Sequence, residues 1–201
     1  MIITFIDTET TGLDLFKHEV IDIAALQVTL VNNEWREISR FESKIKPKNI
    51  KEASEIALKI NGYTKKKWKE APNSITFLPL VRAYIETSDI VAGQNLIFDY
   101  RFINKMFDVN NQERPKWSEY IDTKWMADQL VHDNKLKRSS LDFLCEHYQI
   151  PVIGRAHTAM TDVLRTFELF KTLSKECEVT RLSFDKPFDP YGASNANKKI
   201  S

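Results

Sequence analysis

Phe5-Ile6-Asp7-Thr8-Glu9-Thr10-Thr11-Gly12-Leu13 is the stretch around which the rest of this 201-residue chain arranges itself. It continues the run Met1-Ile2-Ile3-Thr4, so a short isoleucine-rich segment leads straight into two carboxylates and then a turn. Met1 to Ile6 is predicted to be a buried central strand. Gly12 marks the break, because a residue without a Cβ lets the backbone turn tightly. Side chains alternate along a strand, so Asp7 and Glu9 share one side and Thr8 faces the other. Two carboxylates that close raise each other's pKa unless a cation sits between them. An all-oxygen pair suits Mg²⁺ or Mn²⁺ rather than zinc. Composition alone delivers Asp-x-Glu about once in a chain of this length, so the pair needs support from elsewhere.

Working outward, Val20 to Val31 and Phe41 to Ile45 read as further strands, with Val31-Asn32-Asn33-Glu34 as a turn. Glu52 to Leu58 reads as a short helix, and Ser74 to Ile85 has helical spacing. Pro79 lies inside that window, so the helix either kinks there or starts later. Short strands are expected at Asp89 to Ala92 and Tyr120 to Asp122, and helices at Phe98 to Phe107, Thr123 to Val131 and Ser139 to Tyr148. A long final helix runs from about Ala156 to Lys175, with Ala159, Val163, Phe167 and Phe170 in its apolar stripe. Early strands followed by alternating helices and short strands predict an α/β or mixed-sheet layer fold. Residues 1–177 form the expected domain. After Glu178 the periodicity dissolves among Pro187, Pro190 and Gly192, so 178–201 reads as a tail, loosely ordered or partner-binding.

Apolar residues make up 42% and charged residues 28%, which excludes collagen-like, coiled-coil and wholly disordered chains. The longest apolar runs are a few residues, too short to span a membrane. Met1 to Ile6 has neither the basic start nor the small-residue cleavage site of a signal peptide. Cys145 and Cys177 lack metal-ligand spacing and suit a reducing compartment, so the expectation is a soluble cytoplasmic protein. The net charge of +1 hides an asymmetry. Between Lys44 and Lys69, nine lysines face only Glu52 and Glu55, so this segment carries +7 and the remainder −6. An acidic body beside a basic flap suits a metal site that receives a polyanion, although a solvated lysine-rich face is the commoner meaning.

Asp99 follows a strand and the loop Asn95-Leu96-Ile97-Phe98, near a helix start where a carboxylate is commonly a dipole partner. His157 and Asp162 stand five residues apart, about 140° round an ideal helix. They cannot share a helix face. His157 is therefore expected in the loop or first turn, and Asp162 on the helix proper. Each residue has an ordinary structural reading when taken alone; their order along the chain changes that.

Phe5 to Leu13, Asn95 to Asp99 and His157 to Asp162 resemble the three exonuclease motifs of the DnaQ-like 3′→5′ exonucleases. The resemblance is to the histidine-bearing DEDD branch (DEDDh), which includes the proofreading ε subunit of bacterial replicases. Asn61-Gly62-Tyr63-Thr64 with Ala71-Pro72, and Asp122-Thr123 opening a helix, fit as well, and the likeness covers about residues 1 to 175. It implies a ribonuclease H-like α/β fold, with a mixed five-stranded sheet flanked by helices. It implies two divalent ions, Mg²⁺ or Mn²⁺, with Asp7, Glu9 and Asp162 holding one. Asp7 would bridge to the second, which Asp99 reaches largely through water. His157 would be the general base for hydrolysis of the terminal phosphodiester, releasing nucleoside 5′-monophosphates.

The resemblance also implies contacts to the terminal nucleotide from Thr10, Thr11, Gly12 and Leu13, with Asn61, Asn95 and Phe98 as further candidates. Phe98, Tyr100 and Phe102 could each stack on a base, but core packing is expected for at least two of them. Asn61, Gln94 and Thr158 depart from residues common in the family, which leaves the five catalytic positions intact and the Asn61 contact in doubt. The implied partners are DNA or RNA 3′ ends, with a polymerase or a sliding clamp engaged through the tail. Leu182-Ser183-Phe184 is faintly similar to a clamp-binding motif but lacks its leading glutamine. DNA exonuclease, RNA 3′-end trimmer and an inactive nucleic-acid-binding or polymerase-scaffolding module are the three functions that follow.

Overall fold

The structure is a computed structural model and describes residues 1–151, 154 and 157–184. Six strands, β1 (Ile2–Thr10), β2 (Val20–Val31), β3 (Glu34–Lys44), β4 (Ile90–Gly93), β5 (Glu119–Asp122) and β6 (Leu182–Ser183), form one sheet in the order β3-β2-β1-β4-β5-β6. The sheet is mixed: β1, β2 and β3 are antiparallel, β4 and β5 run parallel to β1, and β6 is antiparallel to β5. Short helices α1 (Glu55–Ile60) and α2 (Lys65–Trp68) carry much of the lysine-rich segment. The larger helices are α3 (Leu78–Glu86), α4 (Leu96–Asp108), α5 (Thr123–His132), α6 (Leu141–His147) and α7 (Ala159–Leu173).

The alternation of β1 divides the core. Ile3 and Phe5 face a cluster built from α5, α6 and α7, whereas Ile6 faces a cluster built from α3 and α4. Phe5 packs its ring 5.2 Å from Phe167 and 5.5 Å from Phe170. With helices on both faces, β1 is apolar apart from the buried, hydrogen-bonded Thr4 until its C-terminal end, where the carboxylates begin. Between β2 and β3, Asn32 (φ 51°) and Asn33 (φ 63°) are both left-handed, the backbone a tight hairpin turn requires.

Several expectations change in the structure. β3 begins at Glu34 rather than Phe41, because its first half is mostly charged and polar, with only Trp35 and Ile38 apolar, as suits a solvent-facing edge strand. Pro79 lies in the first turn of α3, where its missing N–H has no helical partner to lose, so the helix starts late and is not kinked. α7 begins at Ala159; the expected start at Ala156 lies outside the described residues.

The boundary at residue 177 also moves. Leu182–Ser183 pairs with β5 as a sixth strand, and Phe184 stacks on Tyr100 at 4.5 Å and lies 4.3 Å from Tyr120. Leu182 is buried and Phe184 is half-buried against Tyr100 and Tyr120, whereas Ser183 is exposed, so two of the three side chains expected to meet a clamp pack into the fold. A two-residue strand has no periodicity to read, and its partners come from distant elements. Residues 185–201 lie outside the described residues. Among the described residues, no helix is long and apolar enough to cross a membrane.

Candidate active site

β1 continues through Thr10 and so carries Asp7 and Glu9 past the end of its neighbour β4. α7 crosses the same face and brings Asp162 to them; ligand oxygens of Asp7, Glu9 and Asp162 all lie within 4.8 Å of one another. Asp99 arrives from α4 on the opposite face. Thr8 secures it there, donating from its backbone N–H (2.8 Å) and its hydroxyl (2.6 Å) to Asp99 Oδ1. The two-residue period of one strand is thus used twice. Odd positions present carboxylates toward α7, and the even position anchors the fourth acid.

Electrostatics make this cluster costly without a cation. Burial pushes Asp7 well above the usual carboxylate range, and Asp99, Glu9 and Asp162 push it further. Glu9 is raised to about 8 by burial, with Asp162 and Asp22 adding repulsion. Asp99 is raised to about 7, again by burial, although the Thr8 hydrogen bonds oppose the shift. Asp22, on β2 opposite Glu9, is raised to about 6 by burial, with Lys44 3.9 Å away. Four converging, partly desolvated carboxylates fit a hard divalent cation bound through oxygen.

Asp162 has its own support. Arg165, one helical turn on and almost fully buried, donates from Nη1 to Asp162 Oδ1 (2.9 Å) and from Nη2 to Asp142 Oδ1 (2.7 Å) on α6. Burial raises Asp162 while Arg165 and the charge of His157 oppose the rise, which puts His157 within electrostatic reach. His157 stands before α7, half-buried, with φ 60°. That left-handed backbone is uncommon for a non-glycine residue and places the imidazole off the helix, as the five-residue spacing requires. Asp122 holds α4: its carboxylate accepts from the N–H groups of Asn95 (2.9 Å), Leu96 (3.0 Å) and Lys124 (2.9 Å), serving the starts of two helices. Arg165, Thr8 and Asp142 were not singled out from the sequence. The one available signal was a lone arginine a helical turn after Asp162 in an apolar helix.

The expected nucleotide contacts divide into two groups. Thr10 and Thr11 are buried. Thr10 donates to the Gly12 carbonyl (2.8 Å), and Thr11 accepts at Oγ1 from the Glu19 N–H (2.9 Å). Asn61 is also buried and donates from Nδ2 to the Thr10 carbonyl (2.8 Å), so it braces the loop from beneath. A Cβ at Gly12 would collide with the His18 imidazole. Leu13, by contrast, is 84% exposed and shares a depression of about 380 Å³ with Asn95 and Phe98. Phe102 is core, and Tyr100 packs on Trp117 and Phe184, as expected for two of the three aromatics. Gln94 donates to the Ser139 carbonyl (2.8 Å) and accepts from Thr123 (2.5 Å), so it ties α5 to the segment before α6.

The family model described as "Exonuclease" matches residues 4–170. The DNA polymerase III subunit epsilon of Buchnera aphidicola is 33% identical over 170 residues, covering 78% of this chain and 64% of its own. The PolC-type DNA polymerase III of Thermotoga petrophila is 31% identical over 185 residues, covering 89% of this chain but 12% of its own length. The chain therefore spans less than two thirds of either relative. The solved nuclease domain of 3′hExo, a DEDDh family member bound to rAMP, superposes with a TM-score of 0.72 at 16% identity, covering 99% of this chain and 97% of that one. Its mixed sheet and flanking helices are those of ribonuclease H-like exonucleases. Because the match runs from the strand that bears Asp7 and Glu9 to the helix that bears Asp162, this chain belongs to the exonuclease family.

Proposed function

We propose that this chain is a divalent-metal-dependent 3′→5′ exonuclease. It removes nucleoside 5′-monophosphates from single-stranded or frayed DNA ends and acts in trans when it proofreads for a polymerase. The observation that carries this reading is the convergence of Asp7, Glu9 and Asp162, with Asp99 pinned behind them and His157 alongside. When bound by these carboxylates, two Mg²⁺ or Mn²⁺ ions would supply charge neutralisation at the phosphate and make water acidic enough to attack at neutral pH. The chain's own groups do the remainder. Thr8 and Arg165 fix two of the carboxylates, the depression at Leu13 and Phe98 receives the terminal base, and His157 accepts the proton of the attacking water on a ring nitrogen. DNA is favoured because the three relatives above 30% identity all carry DNA polymerase III names.

The test is digestion of matched 5′-labelled DNA and RNA oligonucleotides with Mg²⁺ or Mn²⁺. A ladder shrinking from the 3′ end, faster on DNA and absent with EDTA or in Asp7→Ala, is expected. Faster trimming of RNA would transfer the substrate to that polymer. No cleavage of either would leave two readings, an enzyme that needs an obligate partner or a binding module that keeps its metal ligands unused. His157→Ala should lose roughly 10²- to 10⁴-fold in rate while isothermal titration shows Mn²⁺ binding retained. Loss of metal binding in that variant would contradict its role as base.

A further inference from the structure

The loop between β1 and β2 is unusually well tied for a segment that shows so much apolar surface. Thr11 N–H donates to the Glu19 carbonyl (2.8 Å), His18 N–H to the Asp14 carbonyl (2.9 Å), and Asp14 N–H to His18 Nδ1 (2.8 Å). Phe16 N–H donates to Asp14 Oδ1 (2.9 Å), and Lys105 on α4 donates to the His18 carbonyl (2.7 Å). This hydrogen-bonded loop nevertheless turns Leu13 and Phe16 to solvent, 84% and 93% exposed. Apolar side chains held out by a fixed scaffold mark a surface that another molecule covers.

Three depressions follow one another along α4 from that point. The first, at Leu13 and Phe98, starts one residue from Asp99 and ends at Leu15 and Arg101. The second, about 350 Å³, shares Leu15 and Arg101 and reaches Phe16 and Lys105. The third, about 290 Å³, shares Phe16 and Lys105 and opens onto Lys17, Lys46 and Lys48. The acids along this path are occupied. Arg114 binds Asp108 through both nitrogens (2.8 and 2.7 Å), Lys17 lies 3.8 Å from Asp14, and Glu19 accepts the Asn49 N–H. Arg101, Lys46 and Lys48 are exposed and pair with no carboxylate among the described residues.

We infer that this series is the track of a DNA single strand entering the site, with Phe16 as a stacking platform upstream of the cleaved nucleotide and Arg101, Lys46 and Lys48 meeting its phosphates. The inference rests on the exonuclease reading and adds to it an upstream binding surface. An exposed aromatic among cations suits unpaired bases, whose ring faces are free, whereas a duplex hides those faces.

The experiment measures binding of 5′-fluorescein oligothymidylates of 3, 6 and 12 nucleotides by anisotropy in EDTA, so that nothing is hydrolysed. Wild-type affinity should rise with length. Phe16→Ala should weaken the 12-mer about 5- to 10-fold and leave the 3-mer nearly unaffected. Lys46→Glu with Lys48→Glu should lower the slope of log K against log salt by about 1.4. All three residues are exposed, so the variants lose no core contact. Wild-type and variant proteins binding the 12-mer equally would overturn the inference, as would equal affinity for a 12-base-pair duplex. Hydrolysis of the p-nitrophenyl ester of thymidine 5′-monophosphate by the wild type, a substrate that ends before Phe16, tests the exonuclease reading separately.

Discussion

Arg165 makes two ion pairs of similar length and unequal weight. Asp162 is 9% exposed and Asp142 is 65% exposed, each counted at the side chain. Removing one member of a buried pair strands a desolvated charge, whereas an exposed pair is screened by water. Arg165→Met should therefore destabilise the protein by about 3 kcal/mol, and Asp142→Asn by less than about 1 kcal/mol, both read from urea unfolding. Equal losses would show that Asp162 does not depend on Arg165. At this scale, the grouping of Asp7, Glu9 and Asp162 was legible because these residue types and their order recur together as motifs. Thr8 was legible only as the residue facing away from Asp7 and Glu9. Its bond to Asp99, 91 positions distant, depends on which face α4 packs against, and no local pattern encodes that.

α4 carries Asp99, and its position depends on both of its flanks. Asp122 fixes its N-terminus, and the stack of Phe184 on Tyr100 and against Trp117 supports its outer side. Phe184→Ala should cost about 2 kcal/mol of stability, less than a fully buried phenylalanine because this ring is only half-buried. Urea unfolding with no change in midpoint would return residues 182–184 to the role of a detachable tail. Elements with strong apolar patterns, such as β2, were read at their true ends. β3 was shortened by its polar edge, and β6 was missed because two residues carry no period. Pro79 left two options that only the helix start could decide.

For the molecule as a whole, the crowded acids tie stability to pH and to metal. Glu9 at about 8 and Asp99 at about 7 lie above their unfolded values, near 4. The folded state thus binds more protons than the unfolded state between roughly pH 4 and 8, and stability falls as pH rises through that window. In EDTA the melting temperature should be lower at pH 8 than at pH 6. Mn²⁺ should raise it at both, and more at pH 8, because the ion binds only the folded cluster. Identical melts at the two pH values in EDTA would mean that these acids ionise without penalty.

The loop from Thr11 to Glu19, latched to itself and to α4, makes a fixed rim and not a flap that closes over substrate. A rim that does not close holds a polymer between cuts only through the length of strand lying along it. If the track beside α4 supplies that hold, each cut shortens what the protein grips. Degradation would begin processively on long strands, turn distributive as they shrink, and leave remnants a few nucleotides long as the slowest to disappear.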